Sequence, residues 1–427
     1  MTVRCAPHGT CCLIPPPELP LALPFAYAIP FAYAIPFENR HGLKIDAASL
    51  TQCGKSAIGC HNKIHLFAFP TELNSMLDLQ SQSLTIHFGI FAVAALFVWF
   101  AGTKLSKYVD LFADRTGLGK AFAGVLLLGG ATSLPELATT LTASYSGAAE
   151  LAGNNLLGGV VMQVAVLALI DAFVLRGRPL TLFSPQSSLI MVGVMLIALI
   201  ALASAAVSSG ELYSVAGVGV WPILLFAAYI SSLWVIYRYE GKPRWEPRGE
   251  IAEPPESARD IKDAHQRQYQ DVSTRGLVGY FFIASAVVLI GGYFVAVSGE
   301  MIAKQTGIGQ SFVGATLVAL VTSLPELSTT YSAVRFGAYS MAAANILGTN
   351  SLEIALFLPA ELAYREGNLF DALQPSAAFL AALGIVVTSL YLWGILERRD
   401  KTVFGMGVDS FAVLATYAAG LAVFYTM

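Results

Sequence analysis

Residues 119–140 read GKAFAGVLLLGGATSLPELATT, and residues 309–330 read GQSFVGATLVALVTSLPELSTT. Aligned without a gap they share 12 of 22 positions at an offset of 190 residues. The chain therefore contains an internal duplication. Its kernel is Thr132-Ser133-Leu134-Pro135-Glu136, repeated as Thr322-Ser323-Leu324-Pro325-Glu326, and each copy lies within a long apolar run. A carboxylate at the centre of a membrane helix costs about 2.5–3.5 kcal/mol even on the lenient insertion scale, and usually faces a polar interior.

The surroundings match that setting. Over 427 residues, 56% are hydrophobic and 12% charged, which is the wrong balance for water and marks an integral membrane protein. The net charge is -3, and the basic residues fall in loops rather than in one patch, which excludes a nucleic-acid partner. All five cysteines precede the first convincing apolar span and bear on the leader alone. His8, His41, His61, His65 and His87 lie at or before the start of that span and His265 lies in a charged loop, so a histidine-based metal site in the membrane is excluded.

Apolar runs long enough to cross a bilayer, roughly 20 residues each, fall near 84–103, 118–144, 148–172, 187–208, 216–238, 276–298, 308–334, 338–363, 375–396 and 406–426. They predict an all-α polytopic membrane protein of ten transmembrane helices. Its parts are an N-terminal extension (1–80), a first five-helix repeat (81–238), a linker (239–275) and a second five-helix repeat (276–427). Proline and alternating charge make the linker a connector rather than a domain. The leader, with PPP and a tandem FAYAIP, is broken by proline and is a poor secretory signal. Two readings stand for it: a poorly ordered extension with Met76 as candidate start, or an extracytoplasmic cap closed by a Cys53–Cys60 disulfide.

Eighteen lysines and arginines, eight of them from Arg238 to Arg275, fall on one side of these spans, against Lys304 and Arg365 on the other, apart from the leader's five. The bias predicts a cytoplasmic linker and two extracytoplasmic termini. Five helices is an odd number, so the second half enters the membrane in the opposite sense and the repeats are inverted. That geometry brings Glu136 and Glu326 together at mid-depth.

Thr132 and Ser133 precede Glu136 by four and three positions, so one side of a helix would carry all three. Pro135 and Pro325 each remove a backbone hydrogen bond, and freed carbonyls are ligands where they line a cavity. Hydroxyl, carbonyl and carboxylate oxygens suit hard cations such as calcium or sodium and argue against copper or a zinc-only site. The helix after each pentapeptide carries a second polar stripe: Asn345, Thr349 and Glu353 in one half, Asn155, Gly159 and Gln163 in the other. Asn155 and Asn345 are either helix-packing hydrogen bonders or ligands. Gln163 and Glu353 are expected to line the site, and Gly124, Gly158, Gly314 and Gly348 to let helices approach closely.

Over 84–427 these motifs resemble the calcium/cation antiporter superfamily, in particular the sodium/calcium exchangers, whose two alpha-repeats carry GTSLPE on one helix and GNxxGSNxxN/D on the next. The resemblance implies Glu136 and Glu326 as central calcium ligands helped by Thr132 and Thr322. It implies Ser133, Ser323 and the carbonyls of Gly129 and Ala319 at flanking sodium-type sites, with Gln163 and Glu353 at the family's asparagine and aspartate positions. It also implies that the first and sixth helices slide to alternate access. The sequence departs from the pattern at Ala131 and Val321 (for glycine), at Gly159 (for serine, where Thr349 keeps its hydroxyl) and at Val160 (for asparagine); Gln163 and Glu353 are each one methylene longer than usual. SLEIALFLPAE also looks like a segment of proton/calcium exchangers, which leaves the coupling ion open between sodium and protons.

The expectation is thus a secondary cation antiporter, not an enzyme, in a multi-pass cell (inner) membrane. It has calcium and sodium, or protons, as transported substrates, no cofactor, and no obligate protein partner implied. A cation channel would use the same oxygen ring as a filter, but channels usually build their pore around an axis along the membrane normal. An intramembrane hydrolase with Ser133 or Ser323 as nucleophile lacks a histidine base within the repeats.

Overall fold

The computed structural model of the chain describes residues 2–5, 11–14, 82–116, 129–175, 179–183, 186–240, 273–335, 339–398 and 400–427. In the leader, β1 (Thr2–Cys5) and β2 (Cys11–Ile14) pair antiparallel, Cys5 opposite Cys11. Cys53, Cys60, Met76 and most of the linker lie outside the described residues.

The first half comprises α1 (Leu84–Thr116), the short α2 (Gly129–Thr132) running into α3 (Leu134–Tyr145), α4 (Ala149–Ile170) ending in a π-turn at Asp171–Leu175, α5 (Ser187–Ser209), a two-stranded hairpin of β3 (Ser214–Val215) and β4 (Val218–Gly219), and α6 (Val220–Glu240). The second half repeats the order. It runs α7 (Thr274–Thr306), α8 (Gln310–Val313), a π-turn at Gly314–Val318, α9 (Ala319–Thr322), α10 (Leu324–Arg335), α11 (Tyr339–Ala355), α12 (Phe357–Ala363), α13 (Leu369–Ala372), α14 (Pro375–Glu397), the hairpin β5 (Thr402–Val403) and β6 (Met406–Gly407), and α15 (Val408–Tyr425).

Among the described residues eight helices are long and apolar enough to cross a membrane, and the bent Gln310–Thr322 and Leu324–Arg335 pair makes a ninth. The expected span 118–144 is described only from Gly129 onward, so the count of ten rests partly on residues outside the described set. Both leading helices outrun their apolar cores: α1 and α7 have 33 residues each, about 50 Å of helix. The polar extension KLSKYVDLFADR contains no helix breaker, and α7 stops only where Gly307 turns left-handed at φ 71°.

The hairpins escaped the sequence reading. SVAGVG (214–219) and TVFGMG (402–407) each make a two-residue turn with positive φ at both central positions, 53° and 79° at Ala216-Gly217 and 52° and 83° at Phe404-Gly405. That is the turn whose twist matches a β-hairpin. Each hairpin delivers the last helix of its half.

The halves meet as a two-fold pair. Equivalent helices pack on each other, α1 on α7, α5 on α14 and α4 on α11. Unlike contacts come in reciprocal sets, the signature of an isologous interface. A Cβ on Gly102 of α1 would come within 2.8 Å of Pro325 Cβ, while one on its equivalent Gly292 in α7 would lie 3.3 Å from the Pro135 carbonyl. The main apolar core joins α4, α5, α11, α12 and α14. A separate cluster, with Phe91, Ala94, Val295, Ile302, Val318 and Val321, ties α1 and α7 to the bent helix. The outward faces of these two helices are apolar and open, Phe100, Phe282 and Ile283 among them, as a lipid-facing surface requires.

Glycine spacing had suggested four close approaches. Gly158 packs on the Ala315 backbone, its Cβ position 2.7 Å from that carbonyl, and Gly314 packs on the Leu151 carbonyl at 2.8 Å. Gly348 faces open space, which corrects the expectation there. Gly124 lies outside the described residues.

Candidate functional site

Both pentapeptides sit at a break. The helix interrupts at Ser133 between α2 and α3, and at Ser323 between α9 and α10, where it bends by 48°. Pro135 and Pro325 follow two residues later and cannot donate to the preceding turn. The chain stays nearly helical through the break, with Leu137 N–H donating to Ser133 O and Leu327 N–H to Ser323 O, each at 3.0 Å.

The bend sends the hydroxyls across the interface. Thr322 lies beside the Glu136 carboxylate and Thr132 beside that of Glu326, so each threonine serves the other repeat's glutamate. The sequence spacing had grouped Thr132 with Glu136 on one helix side; the reciprocal pairing is the correction. Glu136, Glu326, Thr132 and Thr322 are inaccessible to solvent, and neither oxygen of either carboxylate has a hydrogen bond of good geometry.

The following helices bring a third carboxylate. Gln163 on α4 and Glu353 on α11 are equivalents, and they touch: Gln163 Nε2 donates to Glu353 Oε1 and, at 3.3 Å, to Ser323 Oγ. One helical turn away Asn350 Nδ2 donates to the Val160 carbonyl at 3.0 Å, again joining equivalents. Residues that touch their own counterparts lie on the two-fold axis, so the axis passes through this cluster. Glu353 interacts electrostatically with Glu136 and Glu326.

Gly159 explains the extra methylene of Glu353. A Cβ at Gly159 would sit 2.6 Å from Glu353 Oε2 and 3.1 Å from its carboxyl carbon. The carboxylate occupies the space a serine would need. The missing side chain on α4 thus leaves the room that the longer acid on α11 fills.

Not every expected residue joins the cluster. Asn155 Nδ2 bonds Thr139 and Thr140 hydroxyls at 3.2 Å each, and its Oδ1 is 3.5 Å from Thr322 Oγ1, which places it at the margin. Half-buried Asn345 bonds Thr329 Oγ1 at 3.2 Å, a helix-packing contact. The Ala319 carbonyl accepts from Ser323 N at 3.0 Å and Thr322 Oγ1 at 3.2 Å, which engages both its lone pairs. Gly129, its counterpart, begins α2. Ser133 and Thr349 are buried with hydroxyl oxygens that have no hydrogen-bond partner.

Asn350 was missed. Its Oδ1 is buried and without a partner, as is the hydroxyl of Thr330. Asn350 stands opposite Val160, at the motif position whose asparagine the first repeat lacks.

Among the described residues no three of histidine, cysteine, aspartate and glutamate converge closely enough to hold a metal by themselves. The cluster is instead a set of oxygens of mixed type. Carboxylates, hydroxyls and amide carbonyls surround one buried place, and that donor set fits a hard cation.

Comparisons with known proteins bear on the family and the fold. An inner membrane protein of Escherichia coli K12, YrbG, is 22% identical over 321 residues, covering 74% of this chain and 90% of that protein. The sodium/calcium exchanger MaX1 of Methanosarcina acetivorans is 32% identical over 140 residues, 32% of this chain and 39% of that one. Among solved structures, the sodium-calcium exchanger NCX_Mj, soaked with sodium and strontium, superposes with a TM-score of 0.52 at 17% identity, over 80% of this chain and 99% of that chain, a likeness of fold. The profile of the Sodium/calcium exchanger protein family matches residues 86–238 and 276–426, the two repeats on either side of the linker, and the chain belongs to that family of membrane cation antiporters.

Proposed function

We propose that the chain exchanges calcium for sodium by alternating access, with Glu136 and Glu326 as the central ligands of both ions. The observation that carries this reading is the pair of fully buried glutamates whose four carboxylate oxygens have no hydrogen bond of good geometry. A buried charge without a partner is strongly unfavourable, and a bound cation removes the cost. Two carboxylates from opposite repeats, each with the other repeat's threonine beside it, offer matched oxygens to one divalent ion.

Thr132 and Thr322 complete the central set. Ser133, Thr349, Asn350 Oδ1 and Gln163 Oε1 present further unpartnered oxygens, which support their assignment to flanking positions. Gly129 begins the helical turn that leads into the break, whereas Asn155 and Asn345 hold threonines in place and the Ala319 carbonyl accepts within its own turn. Because calcium and sodium would compete for the same glutamates, the site crosses loaded with one or the other, and that competition enforces exchange.

Movement is assigned to α1 and α7, which have their own apolar cluster and meet the bent helices at Gly102 and Gly292. The lysine and arginine bias supports a cytoplasmic linker and extracytoplasmic termini, with repeats spanning 81–238 and 276–427. A proton is the second reading for the coupling ion, favoured by Glu353: a third carboxylate exceeds what one calcium neutralises.

Radioactive calcium uptake into inside-out vesicles tests both readings, driven separately by an outward sodium gradient and by an inside-acid pH gradient, with Glu136→Gln as the blank. Uptake driven by sodium supports sodium coupling, and uptake driven only by the pH gradient transfers the role to protons. Robust transport by both Glu136→Gln and Glu326→Gln would sink the site assignment.

A further inference from the structure

Two carboxylates outside the site follow the duplication as closely as those within it. Asp171 lies eight residues after Gln163 and Glu361 eight residues after Glu353. Asp171 Oδ1 accepts from Leu180 N–H of its own half at 2.8 Å, and Oδ2 accepts from Gly407 N–H of the other half at 2.8 Å. Glu361 repeats the arrangement, Oε2 accepting from Leu369 N–H at 2.6 Å and Oε1 from Gly219 N–H of the other half at 3.2 Å. Each carboxylate thus ties three segments together: the end of the helix bearing Gln163 or Glu353, the loop that follows it, and the hairpin closing the other repeat.

The helices need such an anchor where it is placed. After Gln163 the helix widens into the π-turn at Asp171–Leu175, and after Glu353 it breaks between α11 and α12. A widened or broken helix does not by itself transmit a fixed rotation and depth to residues two turns away. The hairpins that donate these bonds are themselves fixed. Glu211 Oε1 accepts from Val220 N–H at 2.8 Å and Trp221 N–H at 3.2 Å beside β4, and a Cβ at Gly407 would come within 2.9 Å of Pro179 Cβ.

We infer that Asp171 and Glu361 are positioning residues, which hold Gln163 and Glu353 at the site by stitching the end of each site-bearing helix to the hairpin of the opposite repeat. The inference rests on the reading that the Gln163–Glu353 pair lines the cation site. Only a carboxylate fulfils the role, since each of its two oxygens takes one backbone N–H; an amide would set its own NH2 against one of the donors. Charge-assisted bonds of this kind are about twice as strong as neutral ones.

The test is calcium transport by the full chain in proteoliposomes, with half-saturating concentration and maximal rate measured separately. Asp171→Asn and Glu361→Gln should each raise the half-saturating calcium concentration about tenfold while the maximal rate falls less. Asp171→Glu and Glu361→Asp, which keep the charge, should recover most of the affinity. Unchanged half-saturation in both amide variants, eluting as folded protein, overturns the inference, as does a fall confined to the maximal rate. Should an amide variant fail to fold, Gly407→Ala challenges the same bond from the hairpin side; the same rise supports the inference and an unchanged value overturns it. Glu136→Gln, run in parallel, separates the two readings, because normal transport by that variant removes the site itself rather than its anchors.

Discussion

Across the break that separates α2 from α3 and α9 from α10, the two halves keep Thr-Ser-Leu-Pro-Glu unchanged, whereas on α4 and α11 the facing positions have diverged to Gly159, Val160 and Gln163 against Thr349, Asn350 and Glu353. Both regions lie near one two-fold axis. The unchanged pair gives each repeat the same oxygen-bearing side chains, as the proposed exchange of an ion held equally from either side would require. The divergent pair breaks the symmetry by one charge and two polar groups, so under the proposed function it is where coupling would be tuned without disturbing the centre.

The largest effect expected from this contrast is at its symmetric half. Glu136→Gln and Glu326→Gln should each lower calcium transport by more than about a hundredfold, beyond the 10–100-fold usual for a residue that only supports a ligand. The two should be equivalent, since each carboxylate has the same reciprocal threonine. Uptake by purified protein of normal elution profile measures it; a large difference between the two would break the symmetry argument.

The asymmetric half gives the next effect. Gly159→Ser restores the hydroxyl usual in the resembling family but places its Cβ where Glu353 Oε2 already stands, at 2.6 Å. Transport should fall about tenfold or more, since displacing a reacting group by roughly 1 Å can cost a hundredfold. Adding Glu353→Asp withdraws the carboxylate and should recover much of the loss, which a double-mutant cycle reads as coupling. Independent, additive effects would show that the glycine and the longer acid are unrelated.

The same contrast decided what was legible beforehand. Glu136 and Glu326 stood out because a repeated carboxylate in an apolar run has few structural excuses, and the spans followed from hydropathy, eight or, with the bent pair, nine of them present among the described residues. The crossing of Thr132 to Glu326 and Thr322 to Glu136 was not legible, because helical spacing describes one helix and the contact belongs to two. Asp171 and Glu361 were hidden for a different reason: at a helix end a carboxylate is unremarkable until its backbone partners are known. The hairpins escaped because six residues of mixed polarity, SVAGVG and TVFGMG, merge into the flanking apolar runs. Gly159 was read as a loss, and only the position of Glu353 turns it into an accommodation.

A smaller effect separates motion from binding. Gly102→Ala and Gly292→Ala each put a methyl group against the helix after the break in the opposite repeat, at Gly102 within 2.8 Å of Pro325 Cβ and at Gly292 within 2.5 Å of Ala138 Cβ. Neither residue belongs to the oxygen cluster. Exchange should slow about three- to tenfold with calcium affinity retained, the overpacking penalty being about 1–3 kcal/mol. A calcium-dependent rise in melting temperature reports the affinity and isotope exchange reports the rate. Loss of the melting shift together with the rate would mean that these helices shape the site rather than gate it.

The smallest effect distinguishes the two equivalent asparagines, which the sequence left between ligand and packing roles. Asn155 is buried and bonds two threonine hydroxyls at 3.2 Å each, with Thr322 of the site 3.5 Å from its carbonyl oxygen. Asn345 is half-buried and bonds Thr329 alone at 3.2 Å. Replacing Asn345 with alanine removes one hydrogen bond of a half-buried side chain, about 0.5–1.5 kcal/mol of stability, and should leave transport near normal. Asn155→Ala removes the partner of the buried Thr140 hydroxyl, about 1–3 kcal/mol when unsatisfied, while Thr139 keeps its bonds to the Pro135 and Glu136 carbonyls, and it takes away one of the two oxygens near the Thr322 hydroxyl beside Glu136. It should therefore raise the half-saturating calcium concentration a few-fold as well as lowering the melting temperature. Equal, purely thermal effects from both substitutions would reduce the asparagines to packing residues and confine the difference between the halves to positions 159, 160 and 163 and their counterparts.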